Sequence, residues 1–253
     1  MTHHENKGHS KACCTLPAVK TDYTDKGKYE TINGLKTYVT GDDSAEQGIL
    51  IIYDIFGFSS QGNQGADILA TADDDKKYKV FIPDFLKGTY AEQSWFPPDT
   101  EEKSKKLGGL FQGAANPQTV TPEVVSWSQQ LANNNPSIKK WACVGFCWGG
   151  KLVALTLASS QIFGAAASAH PAMVDPKDAP GIKVPFLMLP SKDEDAKDVE
   201  AFAAELKVEN QIETFADQVH GWMGARGDLD DERVNSEYKR GYETILHFFH
   251  KHL

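Results

Sequence analysis

Apolar residues along the chain fall into short runs set between longer segments of helical periodicity. The runs TINGLKTYV (31–39), GILIIYDIF (48–56), KVFIPDF (79–85), KKWACVGF (139–146), FGAAASAH (163–170), VPFLMLPS (184–191) and IETFAD (212–217) read as strands. GADILATADDDKK (65–77), TPEVVSWSQQLANN (121–134), KLVALTLASS (151–160), AKDVEAFAAELKVEN (196–210) and ERVNSEYKRGYETILHFFHKH (232–252) read as helices. Buried runs alternating with helices predict βα units, and so an α/β fold with a mostly parallel sheet covered on both faces. The stretch 86–118 is the least regular and predicts a helix and loops over one edge. A polar tail over 1–25 precedes a single domain over 26–253, since no linker splits the rest.

In such sheets the reacting groups gather beyond the carboxyl ends of the strands, where loops converge and helix N-termini point inward. Candidate residues therefore belong at strand ends. Gly145-Phe146-Cys147-Trp148-Gly149 has the G-x-S-x-G nucleophile-elbow pattern with cysteine in place of serine. Flanking glycines allow a sharp strand-to-helix turn, and helix amides at that corner favour a thiolate. A buried structural cysteine is the bland alternative. On the hydrolase template an acid and then a histidine follow the nucleophile. After VPFLMLPS the sequence KDED offers Asp193 and Asp195, and His220 stands beyond IETFAD. Asp195 directly precedes a helical run and suits an N-cap, which leaves Asp193 for the triad. His170, also at a strand end, is the rival base.

Charge and cysteine usage narrow the partners. The chain has 26 Lys and Arg against 35 Asp and Glu, a formal charge of −9, with no basic stripe, so nucleic acid and anionic membrane are not expected partners. No apolar stretch approaches a spanning length of ~20 residues, and the N-terminus lacks a signal-peptide core. Four cysteines, at 13, 14, 143 and 147, make no disulfide framework and fit a reducing cytoplasmic setting. Cys13 and Cys14 with His3, His4 and His9 match no closed zinc spacing, so no metal is expected. Cys143 reads as buried filler and Lys151 as a solvated side chain.

The elbow GFCWGGK, the strand end IIYDIFGF, the IPDFLKG after the next strand and the terminal HGWMGARGDLDDE together resemble the dienelactone hydrolase family in its fungal-type branch, over about residues 25–253. The resemblance implies an α/β-hydrolase fold and hydrolysis of a lactone or activated ester by a Cys147–His220–Asp193 triad, without metal or organic cofactor. It also implies an oxyanion hole from the N–H groups of Trp148 and Ile55. Arg226 resembles a family arginine that meets the substrate carboxylate, with Lys87 as a second basic anchor. Asp54 stands where bacterial members carry a glutamate near the thiol. An ionised carboxylate there disfavours the thiolate at rest, which makes Asp54 a gate on the nucleophile; the alternative is an anchor for the loop IFGFSSQGNQ. Phe56, Tyr90, Trp148 and Trp222 offer themselves as pocket lining or as core packing. The expected partner is a small lactone or ester, and the expected assembly a monomer or homodimer. A non-hydrolytic protein that binds a small acid on the same fold is the reading from another class.

Overall fold

The computed structural model describes residues 22–71 and 76–253. Its strands are β1 (Lys28–Ile32), β2 (Leu35–Gly41), β3 (Gln47–Ile52), β4 (Tyr78–Pro83), β5 (Lys140–Phe146), β6 (Phe163–Ala169), β7 (Phe186–Leu189) and β8 (Asn210–Ile212). They form one sheet in the order β1-β2-β4-β3-β5-β6-β7-β8. Pairing is antiparallel from β1 to β2 and from β2 to β4, and parallel from β4 onward. The helices are α1 (Ser60–Thr71), α2 (Glu101–Gln112), α3 (Pro117–Asn134), α4 (Trp148–Leu157), α5 (Ala196–Glu205) and α6 (Glu232–His252). This is the α/β-hydrolase arrangement. Among the described residues, no helix is long and apolar enough to cross a membrane.

The central strands are buried on both faces, as a parallel sheet under two helical layers requires. Side-chain caps set the helix starts. Asn116 accepts from Gln118 N ahead of Pro117, so α3 begins four residues before the periodic run suggests. Asp231 accepts from Arg233 N and Val234 N and opens α6 where the pattern places it.

Several expectations need correction: α5 stops at Glu205 rather than running to 210, and the last strand is Asn210–Ile212 rather than 212–217. TINGLKTYV is a hairpin rather than one strand. Asn33 and Gly34 both have positive φ, 46° and 80°, the backbone of a tight two-residue turn. Helix α1 starts at Ser60, five residues before Gly65, because its buried face carries the polar residues Gln61, Asn63 and Asp67, which hide the periodicity. Gly65 marks a crossing instead of a start: a Cβ there would lie 1.9 Å from the Tyr242 hydroxyl of α6. The chain is docked ahead of residue 26, since Tyr23 donates to Asp67 at 2.8 Å and Asn63 to Asp25 at 2.8 Å. The histidines and cysteines of the N-terminal tail lie outside the described residues.

Candidate active site

β5 ends at Phe146 and α4 begins at Trp148, so Cys147 alone makes the turn, at φ 54° and ψ −114°. A non-glycine residue held there costs about 1–3 kcal/mol and persists only where its surroundings enforce it. They do. The Cys147 N–H donates to Ala169 O at 3.2 Å, and its carbonyl accepts from Gly150 N at 3.0 Å and Ala172 N at 2.9 Å. The flanking glycines are needed for contact as well as for turning. A Cβ on Gly145 would lie 2.2 Å from Gly149 O, and one on Gly149 would lie 2.0 Å from Ile52 O at the end of β3. The thiol therefore sits at the N-terminus of α4, where the helix amides and dipole favour its anion.

The three acids after β7 divide three tasks. Glu194 Oε1 lies 2.6 Å from His220 Nδ1, in a pair whose side chains are 1% and 2% exposed. Its second oxygen accepts from Ser191 N. Asp193, the expected triad acid, instead accepts from the backbone N–H of His220 at 2.8 Å. Asp195 caps α5 as expected, accepting from Lys197 N at 2.8 Å. The ring-orienting carboxylate is thus Glu194, which the sequence reading passed over. Its extra methylene reaches the imidazole, while Asp193 meets the main chain; nothing in the string KDED separates those two roles.

A second histidine adjoins this pair. His170 follows β6, is fully buried, and has φ 37°. Its ring packs edge-on to His220 at 5.3 Å between centroids, and against Phe146 at 5.7 Å and Trp222 at 6.5 Å. Burial first, then His220 and Arg226, hold it well below the ordinary histidine range, so the ring is neutral. Asp54 ties two loops together: Oδ1 accepts from Phe56 N at 2.9 Å and Oδ2 from Ala225 N at 2.9 Å. Arg226 is buried, with its guanidinium 5.7 Å from the Phe56 ring centre and 5.3 Å from that of Phe96. Gly221, at φ 95°, makes room for it, since a Cβ there would lie 2.9 Å from the arginine stem.

A model of the Dienelactone hydrolase family matches residues 35–253. The chain belongs to the dienelactone hydrolase family. It is 35% identical over 249 residues to an Uncharacterized AIM2 family protein of Schizosaccharomyces pombe, across 94% of this chain and 98% of that one. It is 26% identical over 213 residues to the Carboxymethylenebutenolidase homolog of Homo sapiens, across 81% and 82% of the two chains. Among solved structures, a putative dienelactone hydrolase from Klebsiella pneumoniae superposes with a TM-score of 0.64 at 16% identity, covering 89% of this chain and 98% of that one. That likeness supports the fold.

In this dienelactone hydrolase family member the remaining candidates separate into site neighbours and framework. Phe56 stands beside Arg226, as does Phe96, which the sequence reading did not single out because its apolar ring lies in the irregular stretch. Trp222 is framework: fully buried, it stacks on Phe215 at 4.4 Å and leaves no space for a side chain at Gly241. Trp148 is likewise fully buried, donating from Nε1 to Ala115 O at 2.8 Å and stacking on Tyr53 at 6.4 Å. Its backbone N–H belongs to the first turn of α4, where helical partners are lacking. Tyr90 packs over Gly57 and donates to Asp84 at 2.8 Å, and the same carboxylate receives the Tyr53 hydroxyl. Ala91 N donates to Ile55 O at 2.9 Å, so the loop carrying Ile55 is braced from that side.

Lys87 does not line the site with Arg226. It forms a surface ion pair with Glu123 of α3 at 2.8 Å, with 57% of its side chain exposed. Lys151 is not solvated either. It pairs with Asp178 at 2.5 Å, with side chains 13% and 12% exposed, and so fastens α4 to the short turn Pro176–Gly181. Cys143 is buried as expected, and burial pushes its thiol pKa far up, which leaves it an inert core residue.

Proposed function

We propose that the protein hydrolyses lactones or other activated carboxylic esters, with Cys147 as nucleophile, His220 as base and Glu194 as the acid that orients it. The observation that carries this reading is the buried His220–Glu194 contact at 2.6 Å, set across the strand ends from a cysteine in the strained elbow conformation. An ionised carboxylate only accepts, so the proton of the neutral imidazole resides on Nδ1 and the lone pair on Nε2. Family membership and the human relative, a Carboxymethylenebutenolidase homolog, support the ester class.

In the first half-reaction His220 Nε2 takes the thiol proton and Cys147 Sγ adds to the carbonyl carbon. The oxyanion accepts hydrogen bonds from the N–H groups of Trp148 and Ile55. The carbon–oxygen bond to the alcohol portion then breaks, and His220 returns its proton to that oxygen. In a lactone the alcohol stays attached to the acyl chain. Water, losing a proton to His220, next attacks the thioester; the thiolate leaves, recovers its proton, and the carboxylic acid departs. Because a thiolate itself leaves readily, the first adduct partitions forward best when the departing oxygen is enolic. A reducing, cytoplasmic-type compartment suits such a thiol.

The test is turnover of a chromogenic ester and an enol lactone by wild type and by Cys147→Ala, together with intact-mass detection of the thioester. The alanine variant is expected to be inactive and unlabelled. Undiminished turnover by that variant would end the proposal.

A further inference from the structure

His170 is used by none of the steps above, yet its ring adjoins that of His220. The backbone of Cys147 is bonded to Ala169 on one side of it and to Ala172 on the other. Its ring lies edge-on to the His220 ring at 5.3 Å. The residue is fully buried and held in the left-handed region at φ 37°. Neither Nδ1 nor Nε2 has a hydrogen-bond partner in another residue among the described residues; the one polar contact the ring feels is with its own main chain. A buried imidazole with both nitrogens unsatisfied lowers stability, as does a positive φ outside glycine, and such features concentrate where a site holds groups ready for a ligand. The positive φ favours histidine over a bulkier ring, but a packing role alone leaves both ring nitrogens unpartnered by other residues, the cost that a substrate hydrogen bond would offset.

We propose that His170 is a substrate-contacting residue that selects esters carrying a hydroxyl group on the acyl chain. The inference rests on the ester-hydrolase reading and adds the chemistry of the substrate. Burial and the nearby His220 and Arg226 keep the ring neutral, so it presents one N–H donor and one lone-pair acceptor. A hydroxyl, which both donates and accepts, is the group that engages either nitrogen. A carboxylate meets only the donor and an ammonium only the acceptor.

The experiment measures kcat/KM for para-nitrophenyl esters of a short unbranched acid, either plain or bearing a hydroxyl at each chain position in turn. Wild type, His170→Phe, His170→Asn and His170→Gln are compared. The expected result is a preference of about tenfold for the hydroxylated ester at one position, the loss associated with one buried hydrogen bond. That preference disappears in His170→Phe and returns in part in Asn or Gln, whichever amide matches the nitrogen used. The thermal midpoint of each variant is measured alongside, so that loss of the preference is read only from variants that keep the fold. The proposal is overturned if wild type shows no preference at any position, or if the preference survives in His170→Phe. Should the phenylalanine variant not fold, the Asn and Gln variants decide, since a packing role leaves neither with a position-specific preference. Calorimetric titration of Cys147→Ala, with and without His170→Phe, by the amide analogue of the preferred ester reads the contact without turnover. Failure of the cysteine mechanism is thereby kept distinct from failure of the His170 contact.

Discussion

Around Cys147 the contacts that fix the residue are made by main chain: three peptide hydrogen bonds, and two glycines whose missing Cβ atoms let β3 and α4 close on the turn. Around His220 they are made by side chains: Glu194 on the ring, Asp193 on its N–H, and Arg226 laid over the next residue, Gly221. The first corner tolerates no added atom. The second depends on the length and charge of individual side chains, so chemically small changes there have large effects on the reaction and smaller ones on the fold.

The sharpest way to break the comparison is to neutralise each acid in turn. Glu194→Gln keeps the shape but no longer provides a carboxylate to set the imidazole tautomer and stabilise its cation, and is expected to lower kcat by roughly 10³–10⁴. Asp193→Asn retains an oxygen for the His220 amide and is expected to cost about tenfold or less. Steady-state kinetics on the two variants checks the ranking, and the reverse order would return the triad to Asp193.

At the backbone-built corner the counterpart is Gly149→Ala. Its methyl group would stand 2.0 Å from Ile52 O, a main-chain atom of the central sheet, so the cost is a stability loss of about 3 kcal/mol or more. Denaturant unfolding of the variant measures it. A near-neutral result would mean that the elbow is looser than the contacts imply.

Asp54 lies between the two regions and tests whether they are coupled. Asp54→Asn leaves one oxygen for two amide donors and is expected to lower stability by about 1–3 kcal/mol. With the carboxylate acting as a loop anchor, the rate of iodoacetamide alkylation of Cys147 stays within about twofold of wild type. A marked acceleration would instead make Asp54 the gate on the thiol. The smallest expected effect is that of Asp195→Asn, a cap change of ~1 kcal/mol or less in thermal stability with turnover unaltered.

What the sequence reveals follows the same division. The elbow is legible because backbone geometry restricts residue type: only glycine fits at 145 and 149, and strand, glycines and helix appear in order. His220 is legible by its order, since it follows the acid-bearing turn after β7 as the hydrolase template requires. The choice among Asp193, Glu194 and Asp195 is not, because it depends on how far each side chain reaches from a turn whose path is set by β7, β8 and the Ser191–Phe215 bridge between them. Lys151 and Lys87 are illegible in the same sense. Their roles come from the partners Asp178 and Glu123, which are 27 and 36 residues distant and carry no local signal. In the fold, the concealed elements are those with polar residues turned inward, such as α1.

The Asp54–Ala225 hydrogen bond joins positions 171 residues apart. On a chain synthesised from its N-terminus, Cys147 emerges 73 residues before His220, and the loop bearing Ile55 waits for Ala225, which follows it by about 170 residues. On the proposed mechanism, a chain ending anywhere from residue 147 to residue 219 carries the nucleophile without its base. On that mechanism such a chain has no imidazole to take the thiol proton, so ester turnover requires the residues around His220 to have packed against the end of β3.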